Sequence, residues 1–220
     1  MTMFDSLPAA EKARQLANPE GEIGIAVAEF LNGNNRSGNA AILAQLSLSA
    51  GQHVLEIGFG NGRVAADVLA LSDAVRYTGI DISPTMVAEA TRFNAAGVAA
   101  GRAAFHLAAA DQMSFADTSF DATFSTGVIH FWSDPAPSLR ELHRVLRPGG
   151  LAIHSCIDPR TAPPFARAEF GFHLRQAAEW NTLFRAAGFS EVTAEAVERE
   201  QLNADGTPTK RYSVRVTARP

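Results

Sequence analysis

A doubly wound α/β sheet is the fold class this sequence predicts, and three observations carry that reading. From residue 53 onward, short apolar runs alternate with segments of helical periodicity. A glycine-rich turn, Gly58-Phe59-Gly60-Asn61-Gly62, follows the first of those runs. The last two runs are separated by the turn-forming residues Asn203-Ala204-Asp205-Gly206 rather than by a helix. Strands alternating with helices make βαβ units and a mostly parallel sheet. A directly connected final pair makes an antiparallel hairpin at the edge. The expected sheet therefore has seven strands, with the last one antiparallel.

The elements follow in order. Ahead of the sheet, residues 9–17 have helical composition and stop at Asn18-Pro19. Residues 22–31 repeat Ile23, Val27, Phe30 and Leu31 at helical spacing, and 39–48 place Ile42, Leu43 and Leu46 on one face. The Asn/Gly-rich stretch 32–39 between them is expected to be a flexible joint. Residues 1–50 are thus expected to be a helical cap, and 51–220 the sheet domain. Within that domain, strands are expected at 53–57, 74–80, 103–108, 120–125, 151–157, 191–197 and 212–218. Helices are expected at 63–71, 84–96, 137–146 and 176–187. Ser83 and Pro84 suit the N-cap and first position of the second of these helices. Gly188 suits the end of the last.

Composition bounds the function. The 220 residues are 46% hydrophobic and 19% charged, values that fit a globular chain rather than a disordered one. Nineteen basic against 23 acidic side chains give a formal charge of −4. Neither a nucleic-acid footprint nor a polybasic membrane anchor is expected from that balance. No apolar run approaches the roughly 18 residues of a membrane span. A single cysteine, Cys156, excludes an internal disulfide and any CxxC motif. The first residues lack the apolar core of a signal peptide, so a cytoplasmic location is expected.

Chemistry is expected at the carboxyl ends of the strands, where ligands of such sheets bind. The glycines after the first strand permit positive φ and close approach of a ligand to the backbone. The dinucleotide fingerprint GxGxxG would need glycine at 63, where Arg63 stands. Glu56 puts a carboxylate beside the turn, a poor neighbour for a pyrophosphate and a better one for a cation or zwitterion. Asp81, about twenty residues on at the tip of the second strand, can accept hydrogen bonds from two ribose hydroxyls. It could instead cap the following helix, although Ser83 already suits that role.

The blocks VLEIGFGNG, YTGIDIS and FADTSFDATFSTGVIHFWSDPAPSLRELHRVLRPGG together resemble the class I S-adenosylmethionine-dependent methyltransferases, in order and in spacing. The resemblance covers roughly residues 50–190 and is strongest to the small-molecule branch that includes ubiquinone- and menaquinone-biosynthesis enzymes. It implies a Rossmann-like fold, S-adenosylmethionine as cofactor and S-adenosylhomocysteine as product; the N-terminal helices are expected to fold over the site as a helical lid, or else only to cover apolar surface at one end of the sheet. It places the methionine moiety on Gly58, Phe59, Gly60 and Gly62 with Glu56 orienting it, and the ribose on Asp81 with Ile82 against the adenine. The family pattern Gly-Asp-Ala-acid-x-Leu-Pro-Phe departs here to Ala108-Ala109-Ala110-Asp111-Gln112-Met113-Ser114-Phe115. Its first aspartate falls on Ala109 and its second acid on Asp111. The contact to the adenine amino group is assigned to Asp111, with the Gln112 backbone assisting. Thr126 and Gly127 would pass near the sulfonium.

A sulfonium is held by carbonyls and aromatic faces, and Phe59, Phe131 and Trp132 lie near strand ends, although such rings also serve as core. His130 in VIHFW stands where the methyl donor would point and is the candidate base; its other reading is an imidazole that packs over the site or orients the loop. The proline- and aromatic-rich connection 158–175 reads either as acceptor-side wall or as sheet cover, and makes Phe172 and His173, together with Trp132, candidate substrate contacts. His154, Cys156 and Asp158 share a strand face but span too far for a tetrahedral metal, so no metal site is expected. The expected activity is in-line methyl transfer to an O, N or C nucleophile of a small-molecule acceptor. Two alternatives stay open: an NAD(P)-dependent oxidoreductase, disfavoured by Arg63, and a non-catalytic module that binds the adenosyl cofactor.

Overall fold

The computed structural model of the chain describes residues 3–202 and 208–220. The expected turn at 203–206 lies outside the described residues. Seven strands form one sheet in the order β3-β2-β1-β4-β5-β7-β6. They are β1 (His53–Ile57), β2 (Arg76–Asp81), β3 (Ala103–Leu107), β4 (Phe120–Thr126), β5 (Leu146–Ile157), β6 (Glu191–Leu202) and β7 (Pro208–Arg219). The pairs among β1–β5 are parallel, whereas β7 runs antiparallel between β5 and β6. The order reverses between β1 and β4, so the tips of those strands part there and leave a crevice.

Helices α4 (Arg63–Leu71), α5 (Pro84–Phe93), the short α6 (Ala95–Ala99), α7 (Ala136–Val145) and α8 (Ala177–Ala186) join the strands. Two apolar cores lie on opposite faces of the sheet. One gathers Trp180, Phe184, Leu139 and Leu142 of α7 and α8. The other gathers Val64, Val68, Met86 and Ala90 of α4 and α5, with Ile42 and Leu46 from the N-terminal region. Local chemistry sets the helix starts. The Ser83 hydroxyl accepts the Met86 N–H at 3.1 Å, and Gln176 with Glu179 forms a capping box.

The expected helix over 84–96 breaks at Asn94, whose side-chain amide donates to the Gly62 and Ala90 carbonyls. Residues 147–150, expected to close α7 as a turn, fall within β5. There the β4 register passes from Leu146 opposite Phe120 to Leu151 opposite Ala122, and Arg147 pairs with Asp121.

The largest departure is in the cap. After α1 (Met3–Ser6) and α2 (Ala9–Ala17), a single helix α3 runs from Gly21 to Leu46, straight through the expected joint. Asparagine and glycine are poor helix formers, yet tertiary contacts override a propensity of this size. Within and beside the segment, the Asn32 amide donates to Asn61 Oδ1 at 3.1 Å, and Glu29 accepts from Asn61 and from Arg63 at 3.1 and 2.6 Å. Phe30 stacks on Phe4 at 5.0 Å. The start of α3 is fastened too. Ser83 Oγ donates to the Pro19 carbonyl, and the Gly21 N–H donates to Thr85 Oγ1. Among the described residues, no helix is long and apolar enough to cross a membrane.

A continuous α3 has a measurable consequence at Gly33, where a Cβ would meet nothing within 4 Å. Gly33→Ala should stabilise the protein by about 0.5–1 kcal/mol, read as a rise in chemical-denaturation midpoint. A flexible joint at that position predicts no gain.

Candidate functional site

The crevice at the switch point opens into a cavity of about 380 Å³, lined by the β1 turn, the β2 tip, residues 108–111, residues 126–128 and the underside of α3. Its volume suits a small ligand. The turn is built for close approach. Gly58 and Gly60 have φ of +67° and +57°, a region costly for residues with a Cβ. A Cβ on Gly58 would stand 2.5 Å from Val128 Cγ2, whereas one on Gly60 would meet nothing within 4 Å. The first glycine lets the chain pack against the β4 loop, and the second leaves room above the turn.

Asp81 fixes the turn to the neighbouring strand. Its Oδ2 accepts the Gly60 N–H at 3.0 Å and its Oδ1 the Ser83 N–H at 2.9 Å. Burial pushes its carboxyl up to about 6, against the opposing pull of those backbone donors. Behind it, Glu56 is buried and accepts the Tyr77 hydroxyl at 2.6 Å. Burial pushes Glu56 up to about 8, with the hydrogen bond from Tyr77 working the other way. Two acids therefore stand on one wall of the cavity, each with its ionised form disfavoured by burial. Ile82, 51% exposed at the β2 tip, offers an apolar face to the same space.

A second cavity, about 520 Å³, lies beneath α3 on the sheet face. It shares Leu16, Leu31, Asn35, Thr126, Gly127 and Phe131 with the first, so the two meet at the β4 tip. Phe4, Phe30, Phe165 and Phe172 cluster ring to ring to give it an aromatic end, and Arg211 and Arg215 of β7 are also on its wall. His130 is on its wall, stacked 5.4 Å from Phe172 and 4.3 Å from Phe131. Burial holds its imidazole down at about 3, so the ring is neutral across the physiological range.

The structure gathers Glu56, Gly58, Gly60, Asp81, Ile82, Asp111, Thr126 and Gly127 around the first cavity. It also separates some expected residues from it. Phe59 contributes backbone to the wall, but its ring is 4% exposed and packs on Phe105 at 5.1 Å, within the core. Gly62 is not on the wall; a Cβ there would stand 2.6 Å from Ala90, so it serves helix packing. Gln112 is exposed and off the wall, its N–H turned back to the Ala109 carbonyl at 3.4 Å.

Of the residues expected to contact substrate, Phe172 lines the second cavity. Trp132 lies on the first cavity instead. His173 lines neither; its N–H donates to the His130 carbonyl at 2.7 Å and so steadies that loop. Asp158 is held by Arg160 at 2.9 Å. Sequence reasoning missed the polar face of α3, where Asn32, Asn35 and Asn39 line the first cavity, and the β7 arginines of the second. The run of amide side chains in an apolar cap was the available signal.

A seven-stranded doubly wound sheet with one antiparallel strand and a strand-tip cavity next to a carboxylate defines a Rossmann-like cofactor-binding class. A family model described as a methyltransferase domain matches residues 55–154. The O-methyltransferase resE of Aspergillus sclerotiorum is 38% identical over 129 residues, 58% of this chain and 48% of that protein. A ubiquinone/menaquinone biosynthesis C-methyltransferase, UbiE of Geotalea daltonii, is 32% identical over 131 residues, 57% of this chain and 56% of that one. The chain spans about half the length of these curated relatives. The structure of Haemonchus contortus phosphoethanolamine N-methyltransferase 2 in complex with S-adenosyl-L-methionine superposes with a TM-score of 0.73 at 20% identity. That match covers 90% of this chain and 57% of that one. Residues 55–154 thus match a methyltransferase domain, and the chain is similar in sequence and in fold to the class I S-adenosylmethionine-dependent methyltransferases.

Glu56 yields a test of the site's electrostatics. Its folded pKa lies above the usual 4.5, so its contribution to stability is full below pH 4.5 and is lost as pH rises through about 8. Thermal melts of the wild type should therefore drop between pH 6 and pH 9 more than those of Glu56→Gln. Parallel curves for the two proteins would refute the buried, protonated carboxyl.

Proposed function

We propose that this chain moves a methyl group from S-adenosylmethionine to an O, N or C nucleophile of a small molecule held under α3. The observation that carries this reading is the meeting of two cavities at Thr126–Gly127, one walled by the glycine turn and Asp81, the other aromatic. The first cavity suits the cofactor on several counts. The open space above Gly60 leaves room for a chain laid on the backbone, and the two oxygens of Asp81 retain acceptor capacity for ribose hydroxyls. Ile82 offers a face to the adenine, with Asp111 beside it on the wall. Asn39 Oδ1 and Thr126 Oγ1 are shielded and lack partners among the described residues, as groups awaiting a polar ligand would. When bound, the cofactor supplies an electrophilic methyl on a sulfonium.

The protein's contribution is then positioning. Glu56 faces the cationic end of the ligand and, on ionising, releases a proton to solvent. The loop 126–131 and the underside of α3 align the acceptor and limit water around it. His130 stands beside the acceptor as a neutral imidazole. Methylation of a neutral hydroxyl makes its proton strongly acidic, so a weak base is sufficient to accept it at that stage, whereas a methylated amine would keep its proton or lose it to solvent. Donor and acceptor alignment carries most of the acceleration in this reading.

Calorimetric titration with S-adenosylhomocysteine, S-adenosylmethionine and NAD(H) tests the cofactor. Binding of the adenosyl pair alone is expected, and binding of NAD(H) in its place would overturn the assignment. Asp81→Ala should weaken S-adenosylhomocysteine by about 1.5–3 kcal/mol, as loss of charge-assisted hydrogen bonds does. An unchanged dissociation constant in the folded variant would sink the ribose role. Wild-type affinity should also fall as pH drops below about 6, where Asp81 takes up its proton. For His130, NMR of the labelled imidazole should show no titration between pH 5 and pH 8. A midpoint near 6.5 would instead make it an ordinary exposed base.

A further inference from the structure

The floor of the second cavity carries a row of polar side chains across three adjacent strands. Thr126 of β4 is in register with Ser155 of β5, and Ser155 with Arg215 of β7. Residues in register point to the same face of a sheet, and all three line the cavity. The alternate β7 residues Val214, Val216 and Ala218 are buried in the core on the opposite face. Strands are spaced about 4.8 Å apart, so the backbone at Arg215 lies about 10 Å from that at Thr126.

This row is short of partners. Thr126 Oγ1 and Arg215 Nε are shielded from water and have no hydrogen-bond partner among the described residues. Such groups are uncommon in folded proteins, and each raises the question of what satisfies it. Among the described residues, Arg215 pairs with Glu195 on β6, through Nη2 at 2.8 Å. Glu195 is 53% exposed, so that pair is a solvent-screened one at the rim and is readily exchanged. Among the described residues the cavity also has the guanidinium of Arg211 and the carboxylate of Glu198, which is engaged by Lys210 and Tyr212. The clustered rings of Phe4, Phe30, Phe165 and Phe172 form its aromatic end.

We propose that the cavity takes an aromatic acceptor bearing a carboxylate, with its reacting end at the Thr126–Gly127 junction and its carboxylate read by Arg215 about two strand spacings away. Planar rings fill the aromatic end. The guanidinium offers a fork of donors that a carboxylate can replace Glu195 in occupying. The hydroxyls of Thr126 and Ser155 lie along the path between. Arg215 is a specificity-determining residue in this assignment, remote from the methyl being transferred. The inference rests on the second cavity being the acceptor side of the proposed methyltransferase.

The test uses 6-hydroxy-2-naphthoic acid and its methyl ester as probes, titrated into the full chain by fluorescence, with S-adenosylhomocysteine binding measured on the same samples. The acid should bind about tenfold or more tighter than the ester, the scale of a charge-assisted hydrogen bond. Arg215→Gln should abolish that preference while leaving ester and S-adenosylhomocysteine affinities unchanged. Glu195→Gln, at an exposed position, should strengthen acid binding by freeing the guanidinium. Equal binding of acid and ester to the wild type, no binding of either, or a preference that survives in a folded Arg215→Gln would overturn the proposal. Acid preference without S-adenosylhomocysteine binding would sink the methyltransferase reading and leave the anion site standing. The reverse pattern would sink the anion site alone.

Discussion

The carboxylate of Asp81 ties the turn after β1 to the start of α5, beyond the last paired residues of β1 and β2. One oxygen takes the Gly60 N–H from the turn after β1, and the other takes the Ser83 N–H at the start of α5. Ser83 in turn caps α5 and donates to the Pro19 carbonyl, which anchors the start of α3. The β1 turn, the second crossover and the roof of both cavities therefore converge on one buried acid. The burial that raises its pKa is the cost of that arrangement, offset by the backbone donors around it. A ligand that hydrogen-bonds to the same carboxylate enters a network already oriented to receive it.

The two cavities differ in how the sheet builds them. The first follows from topology, since strand order reversal opens a crevice at the tips of β1 and β4 whatever the sequence. The second follows from the cap. It exists because α3 lies across the face of β5 and β7, with Gln45 bonded to Thr217 at one end and Glu29 bonded to Arg63 at the other. Shared fold explains the first cavity among relatives. The side chains of α3 and β7 shape the second, and those are the parts of the chain outside the matched family segment.

The sheet was legible because its signals are local. The β1 and α4 ranges follow from a short apolar run, a glycine turn and a helical period. Ser83-Pro84 marked the start of α5. The cap was misread where local and tertiary preferences conflict. Asparagine, serine and glycine in 32–39 have loop propensities, but tertiary contacts such as Asn32 to Asn61 and Glu29 to Arg63 hold the segment in α3. The site divides in the same way. Glu56, Asp81 and Ile82 were legible as residues at strand tips, where position in the chain fixes position in space. Trp132 and His173 were not, because each lies in an irregular segment whose direction is set by neighbours distant in sequence. Phe59 shows the limit of reading by type alone: the backbone is at the site and the ring is in the core.

The continuity of α3 also bears on chemical ageing. An asparagine followed by glycine, as at Asn32-Gly33, is the pair most prone to close into a succinimide when the chain is free to bend. Closure needs the glycine nitrogen to swing onto the asparagine side chain. In a helix that nitrogen donates along the axis to the residue four positions back, and here the asparagine amide is also tied to Asn61. Folding therefore shelters the roof of the site from deamidation, and any condition that frays α3 would expose an asparagine on which the cavity's shape depends.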